Sequence, residues 1–279
     1  MNRQTRRAGL AFALALVAAP LSATGAQAQA IADAAAPTAA EALAPEAVET
    51  LAPEAVAALD RMGAALRRLE RFSVVSDGVI EAVYANGQKL QAPVRTTYLV
   101  ELPGHMAVDV LTDKSSTRMI YDGKAMTLVG LKARKYVRFP LAGTVAEVFD
   151  RAEDDYGVSL PLRELFLWGS PLSDAETPRS GFKVGEGMIG GVAVEHYAFR
   201  QSSMDWQIWL EKGDRPLPRK IVITRTDVAQ QPQFSAAFTW DTAPALSADS
   251  FRWTPAADFT LIDFGTARLV DAAAPKASR

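Results

Sequence analysis

Gly190-Gly191, followed by Val192–Gln201 (VAVEHYAFRQ) and Asp205–Lys212 (DWQIWLEK), decides the fold class of this 279-residue chain. Apolar and polar side chains alternate there with a period of two, the spacing of a strand that buries one face. Tyr197 and Phe199 share a side of the first run, and Trp206, Ile208 and Leu210 share a side of the second. Gly-Gly tolerates the positive φ angles of a tight hairpin, so Phe182–Ile189 upstream is the partner strand. Pro218–Asp227 and Phe234–Thr242 extend the meander, with Phe238 and Trp240 on a common side.

The same period governs the region upstream. Phe72–Tyr84 reads as one long strand ending at the turn Asn86-Gly87. Val94–Leu102 alternates cleanly, with Tyr98, Val100 and Leu102 on one side. Met106, Val108 and Val110 continue the pattern after Pro103-Gly104, and Arg118–Tyr121, Ala125–Val129 and Lys135–Phe139 follow. Phe251–Thr254 and Phe259–Phe264 are the last strand-like runs. Three segments read as helices. Pro53–Leu69 has Pro in its first turn and an apolar three/four spacing. Thr144-x-x-Glu147 is a capping box ahead of Val145, Val148, Phe149, Ala152 and Tyr156. Leu160–Trp168 is a shorter helix, with a Pro/Ser-rich loop over 170–180 behind it.

Strands joined by hairpins pair antiparallel, and helices segregated from them make the class α+β. About eleven strands must curl, close or split. The expected architecture is a strongly curved antiparallel sheet, a half-barrel, with helices covering its concave face.

Residues 1–30 have the form of a signal peptide. Arg3, Arg6 and Arg7 precede the apolar run Leu10–Val17, and Ala-x-Ala sites follow at Ala26 and Ala28. That run is too short to span ~30 Å of hydrocarbon. Residues 31–52, with LAPEA twice, read as a flexible Ala/Pro-rich linker, and 269–279 as a disordered tail. The domain is expected over 53–268. The chain has no cysteine, which excludes thiolate metal sites, cysteine nucleophiles and a lipidated cysteine. A net charge of -2 provides no basic field for nucleic acid. The reading is a periplasmic protein that is neither membrane-spanning nor lipid-anchored.

Catalytic motifs are missing: there is no G-x-S-x-G, H-E-x-x-H or P-loop. Gly185-x-Gly187-x-x-Gly190 sits between strands instead of opening a helix, so it is not a dinucleotide fingerprint. His196 points away from Glu195 and Tyr197 on an alternating strand, which separates it from its neighbouring carboxylate. Glu153, Asp154 and Asp155 form a solvated acidic helix end rather than a metal loop. No catalytic residue, metal or cofactor is expected, and the chain reads as a non-enzyme.

The residue blocks 195–201, 205–209 and 216–224 (PLPRKIVIT) resemble a family of predicted periplasmic proteins described as a domain of unknown function. Tyr121–Lys124 and Pro232–Trp240 fit that family too. A wider similarity is to the periplasmic lipoprotein-carrier fold of LolA, LolB, RseB and LppX. It implies a half-barrel with helical lids and a hydrophobic cavity for acyl chains. In LolA an early-strand arginine contacts the lid, and Arg95 is its nearest counterpart by strand.

A carrier of this type would line its cavity with Tyr98, Val100, Val108, Val110, Ile120 and Phe139 from the first half. The second half would contribute Tyr197, Phe199, Trp206, Ile208, Leu210, Phe238 and Trp240. The expected partners are lipid or lipoprotein acyl chains. The alternative is an RseB-like regulatory or scaffolding module that binds an envelope membrane protein, and a filled core is the competing reading of the same aromatics.

Overall fold

A computed structural model describes residues 50–173 and 175–263. The first helix, α1 (Pro53–Arg67), has Pro in its first turn, Glu54 near its N-terminus and Arg67 in its last turn. The hairpin β1 (Arg71–Val83) and β2 (Lys89–Glu101) turns at Asn86-Gly87, where Gly87 takes φ +83°. Four shorter strands follow: β3 (His105–Thr112), β4 (Ser116–Tyr121), β5 (Ala125–Gly130) and β6 (Lys135–Pro140). Helices α2 (Val145–Tyr156) and α3 (Arg163–Leu167) come next. The second meander is β7 (Ser180–Ile189), β8 (Val192–Arg200), β9 (Met204–Glu211), β10 (Pro218–Arg225) and β11 (Gln233–Asp241). A 3-10 turn (Ala248–Phe251) leads to β12 (Thr260–Leu261).

The twelve strands form one curved, unclosed sheet in the order β12-β6-β5-β4-β3-β2-β1-β11-β10-β9-β8-β7. Strand β1 lies at the centre and pairs with both β2 and β11, so it joins the meanders into two wings.

The capping box on α2 forms: Thr144 N–H donates to Glu147 at 2.7 Å, and Glu147 N–H to Thr144 Oγ1 at 3.3 Å. Gly157, at φ +67°, closes the helix. The third helix is shorter than the expected Leu160–Trp168. Pro161 disfavours the helical region for the residue before it, and Leu162 turns left-handed at φ +59°.

Three sequence expectations are revised at the ends of the domain. Phe251–Thr254 is not a strand. Phe251 closes the 3-10 turn, which Ser247 and Ser250 start by reciprocal hydrogen bonds, and Pro255 has no N–H for a ladder. Among the described residues of the final run only Thr260–Leu261 form a strand, and it pairs parallel to β6, the one departure from antiparallel order among the described strands. At the other end, Thr50–Ala52, assigned to the linker, make a parallel bridge to Gly181 of β7. Ala52 N–H donates to Gly181 O at 2.8 Å. A Cβ on Gly181 would lie 2.4 Å from the Phe199 ring and 3.0 Å from Leu51, so only glycine admits this approach. The signal peptide, residues 31–49 of the linker, and everything from Phe264 onward lie outside the described residues.

Candidate functional site

The strand registers carry one apolar face across both wings. One rung runs Trp240–Val74–Tyr98–Val108–Met119 through β11, β1, β2, β3 and β4. Another runs Tyr197–Ile208–Ile221–Ala236 through β8 to β11. Twelve of the thirteen residues expected to line a cavity fall on this core face. Tyr98 and Val108 have no solvent exposure and Ile208 is 1% exposed, while Val110 and Trp240 are half-buried at its margins.

Ile120 is the exception. It pairs with Ala107 and Thr127, one residue out of phase with Met119 and Tyr121, so it belongs to the outer face. It is nevertheless buried, as are Ala107 and Val129. The chain beyond β11 crosses this side of the first wing. The Phe251 ring lies 5.4 Å from His105 on β3, and Trp253 lies 5.1 Å from Tyr136 on β6. A strand buried on both faces loses its alternation, which is why Ile120 looked like a core-face residue.

Rings from the helical segment seat on the core face. Phe166 of α3 lies 4.9 Å from Tyr98, 5.9 Å from Phe72 and 5.7 Å from Phe149 of α2. Trp168 meets Trp206 edge-on at 5.8 Å, and Trp206 stacks on Phe199 at 4.3 Å. Gly63 of α1 allows the Trp168 carbonyl to come close, since a Cβ there would sit 2.7 Å from that oxygen. Phenols fasten the connecting chain: Tyr98 OH donates to Pro161 O, and Tyr121 OH to Gly143 O at 2.6 Å. Burial pushes the Tyr98 phenol well above its ordinary range and keeps it a neutral donor.

Sequence reading missed three features of this site. Phe166 sits in a five-residue helix too short for a periodic signal, and Trp168 is the residue that ends it. Five of the seven methionines, Met62, Met106, Met119, Met126 and Met204, belong to the core cluster. Trp206 Nε1 is a buried N–H with no acceptor, which is costly in an apolar setting. By contrast, Trp240 Nε1 donates to Pro218 O at 2.7 Å.

Polar groups rim the second wing. Lys183 bridges Glu195 at 2.7 Å and Glu186 at 3.0 Å, and Glu195 also accepts from Tyr197 OH. Hydrogen bonding to Lys183 holds the Glu195 carboxyl below its usual range. His196 is on the other face, as its alternation required: it stacks on Trp209 at 4.0 Å and meets Gln207 at 3.0 Å. Lys220 lies over the same Trp209 ring at 4.9 Å. Arg95 is also on the outer face, bound to Asp77 at 2.8 Å, and so does not serve as a lid contact. Among the described residues, no three His, Asp or Glu side chains converge in a way that would hold a metal. Two surface pockets, of about 460 and 540 Å3, include none of the thirteen residues, and the Phe166 and Trp168 rings pack on the core face.

A family model described as "Predicted periplasmic protein (DUF2092)" matches residues 55–265. No curated protein matches the sequence. Similar solved structures include MucB, at 17% identity and a TM-score of 0.40, covering 73% of this chain; the chain spans 64% of MucB's length. LppX of Mycobacterium tuberculosis matches at 11% identity and a TM-score of 0.40, over 70% of this chain and 98% of that one. A LolA superfamily protein from Nitrosomonas europaea matches at 9% identity and a TM-score of 0.32, over 71% and 97%. No helix among the described residues is long and apolar enough to cross a membrane.

Proposed function

Because the chain belongs to the DUF2092 family of predicted periplasmic proteins, we propose that it is an exported binding protein, not an enzyme, that holds an acyl chain against its core face. The three helices act as a lid over the concave side, and the cargo is a lipid or the lipid portion of a lipoprotein. The carrying observation is Trp206, whose buried Nε1–H lacks an acceptor on a largely apolar face. An ester carbonyl at the head of an acyl chain would satisfy that donor. Five core methionines support the reading, because unbranched thioethers repack around irregular apolar guests. Each methylene buried would contribute roughly 0.8 kcal/mol.

Loading requires Phe166 and Trp168 to leave the face, since the site is filled when closed. The fastenings to be released include Tyr98 to Pro161, Tyr121 to Gly143 and Arg67 to the Trp168 carbonyl. The decisive experiment is native mass spectrometry of protein purified gently from a periplasm, with organic extraction of the same sample. A stoichiometric acyl-bearing adduct, reduced in Trp206→Leu but not in Ile120→Ala, is the expected result. A clean ligand-free mass across preparations would overturn it.

One observation favours a second reading. Strand β7 is an edge of the sheet, and its Val184 and Met188 are 40% and 65% exposed. An envelope protein could add a strand there, which is how a regulatory or scaffolding module would engage. Capture of an envelope protein that is lost in Val184→Pro, with no lipid in the extract, would favour this reading.

A further inference from the structure

A pocket of about 460 Å3 opens where the end of α1, the start of β1, the β9–β10 turn and the end of β11 meet. All four lie at one end of the central strands, beside the Phe72–Trp240 ring pair of the core face. Ala65 and Leu69 line it, and both also belong to the buried core. The pocket is therefore a polar surface site whose floor includes two residues of the buried core.

Its charges are mixed. Arg68 and Arg215 supply guanidinium groups, and Glu70 and Asp214 supply carboxylates. Arg71 also lines the pocket, but Glu101 already holds it. Arg68, Glu70 and Asp214 have no ion-pair partner among the described residues, and Arg215 donates only to the neutral Thr242 Oγ1, at 3.0 Å. Two cations and two anions around one small cavity, none neutralising another, are complementary to a ligand that carries both signs. The C-terminal end of α1 lies in the same wall and, as the negative end of a helix dipole, favours an ammonium. Guanidinium groups favour a phosphodiester.

We propose that this site binds a zwitterionic phospholipid headgroup, with Arg68 and Arg215 on the phosphodiester and Glu70 and Asp214 on the ammonium, while the acyl chains enter the core beside Leu69. The assignment rests on the acyl-binding reading above and deepens it. A phosphate without an amine would leave the two carboxylates unmatched. An uncharged diacylglycerol would leave all four groups unmatched.

The test is competition among three lipids with identical acyl chains: phosphatidylethanolamine, phosphatidylglycerol and diacylglycerol. The full protein is incubated with vesicles holding them in equal parts and repurified, and the retained lipid is quantified by mass spectrometry. Phosphatidylethanolamine should be enriched about tenfold over diacylglycerol, a difference of about 1.4 kcal/mol, with phosphatidylglycerol between them. Arg68→Ala/Arg215→Ala should reduce both phospholipids to the diacylglycerol level. Glu70→Gln/Asp214→Asn should erase only the preference for ethanolamine over glycerol. Circular dichroism melting of each variant verifies the fold, and these exposed sites should leave it unchanged. Lipid retained in the proportions of the vesicle would overturn the headgroup site while leaving acyl binding intact. No retained lipid of any kind would overturn the acyl-binding reading, and the headgroup site with it.

Discussion

The two wings of the sheet bury their surfaces differently. In the second wing, β9 alternates perfectly between buried and half-buried residues along its whole length. Its outer side carries the row His196, Trp209 and Lys220, half in solvent. In the first wing, β4 ends with three consecutive buried residues, Met119, Ile120 and Tyr121, and β5 begins with three more. The difference is the chain beyond β11, which lays Phe251 and Trp253 on that wing's outer side and then pairs with β6. One wing is a two-layer structure and the other has a third layer. The first wing is covered on both faces, and the second ends at β7, bridged by Leu51 only at Gly181.

The strongest way to break this comparison is to remove the third layer. Phe251 is 2% exposed, and Phe251→Ala should cost about 3–5 kcal/mol in denaturant unfolding. Amide exchange should rise in β3 through β6 and stay unchanged in β8 through β10. Uniform acceleration across both wings would mean that the outer layer does not act locally.

A matched pair sharpens it. Ile208 and Ile120 are buried to nearly the same degree on opposite faces of the sheet. Each truncation to Ala should cost about 2–4 kcal/mol. Were the first wing's outer face open, Ile120→Ala would cost far less than Ile208→Ala. The same pair separates stability from function, because only Ile208→Ala should lower retained lipid.

Trp209 measures what an uncovered outer face contributes. Trp209→Leu removes the stack with His196 and the contact with Lys220, and should cost about 1–2 kcal/mol. A loss as large as that of Phe251→Ala would show that the second wing's outer side is as buried as the first's.

These differences also explain what was legible beforehand. Hairpin chemistry and period-two patterning located β1 through β11, and both core-face stripes of the second wing were readable because solvent enforces alternation there. The capping box on α2 was equally clear, since Thr144 and Glu147 act locally. Ile120 was misplaced because double burial erases the phase of a strand. The terminal segment was misread because Phe251, Trp253 and Phe259 look like strand residues although they act as pegs on another layer. Phe166 escaped notice for a different reason: its importance lies in the rings it touches across the chain, Phe72, Tyr98 and Phe149, which no local pattern reveals.

The smallest effect concerns His196, the ionisable member of the second wing's outer row. Partial burial lowers its pKa from 6.5, and the Lys220 charge across Trp209 acts in the same direction, while the hydrogen bond that Nε2–H donates to Gln207 Oε1 opposes them. Lys220 is the charged group facing it from β10, and Glu195 is on the other side of the sheet. The folded protein therefore resists a proton that the unfolded chain accepts near pH 6.5. Stability attributable to His196 is complete above that pH and declines as the pH falls from 6.5 toward the folded-state pKa. Other groups titrate over the same range, so the comparison is between the wild type and His196→Gln. From pH 8 to pH 5 the wild type should lose slightly more denaturant resistance than the variant. An equal loss would mean that the imidazole titrates as it does in the unfolded chain. A smaller loss in the wild type would mean that it gains an acidic partner on folding, and the outer face of the second wing would then be covered after all.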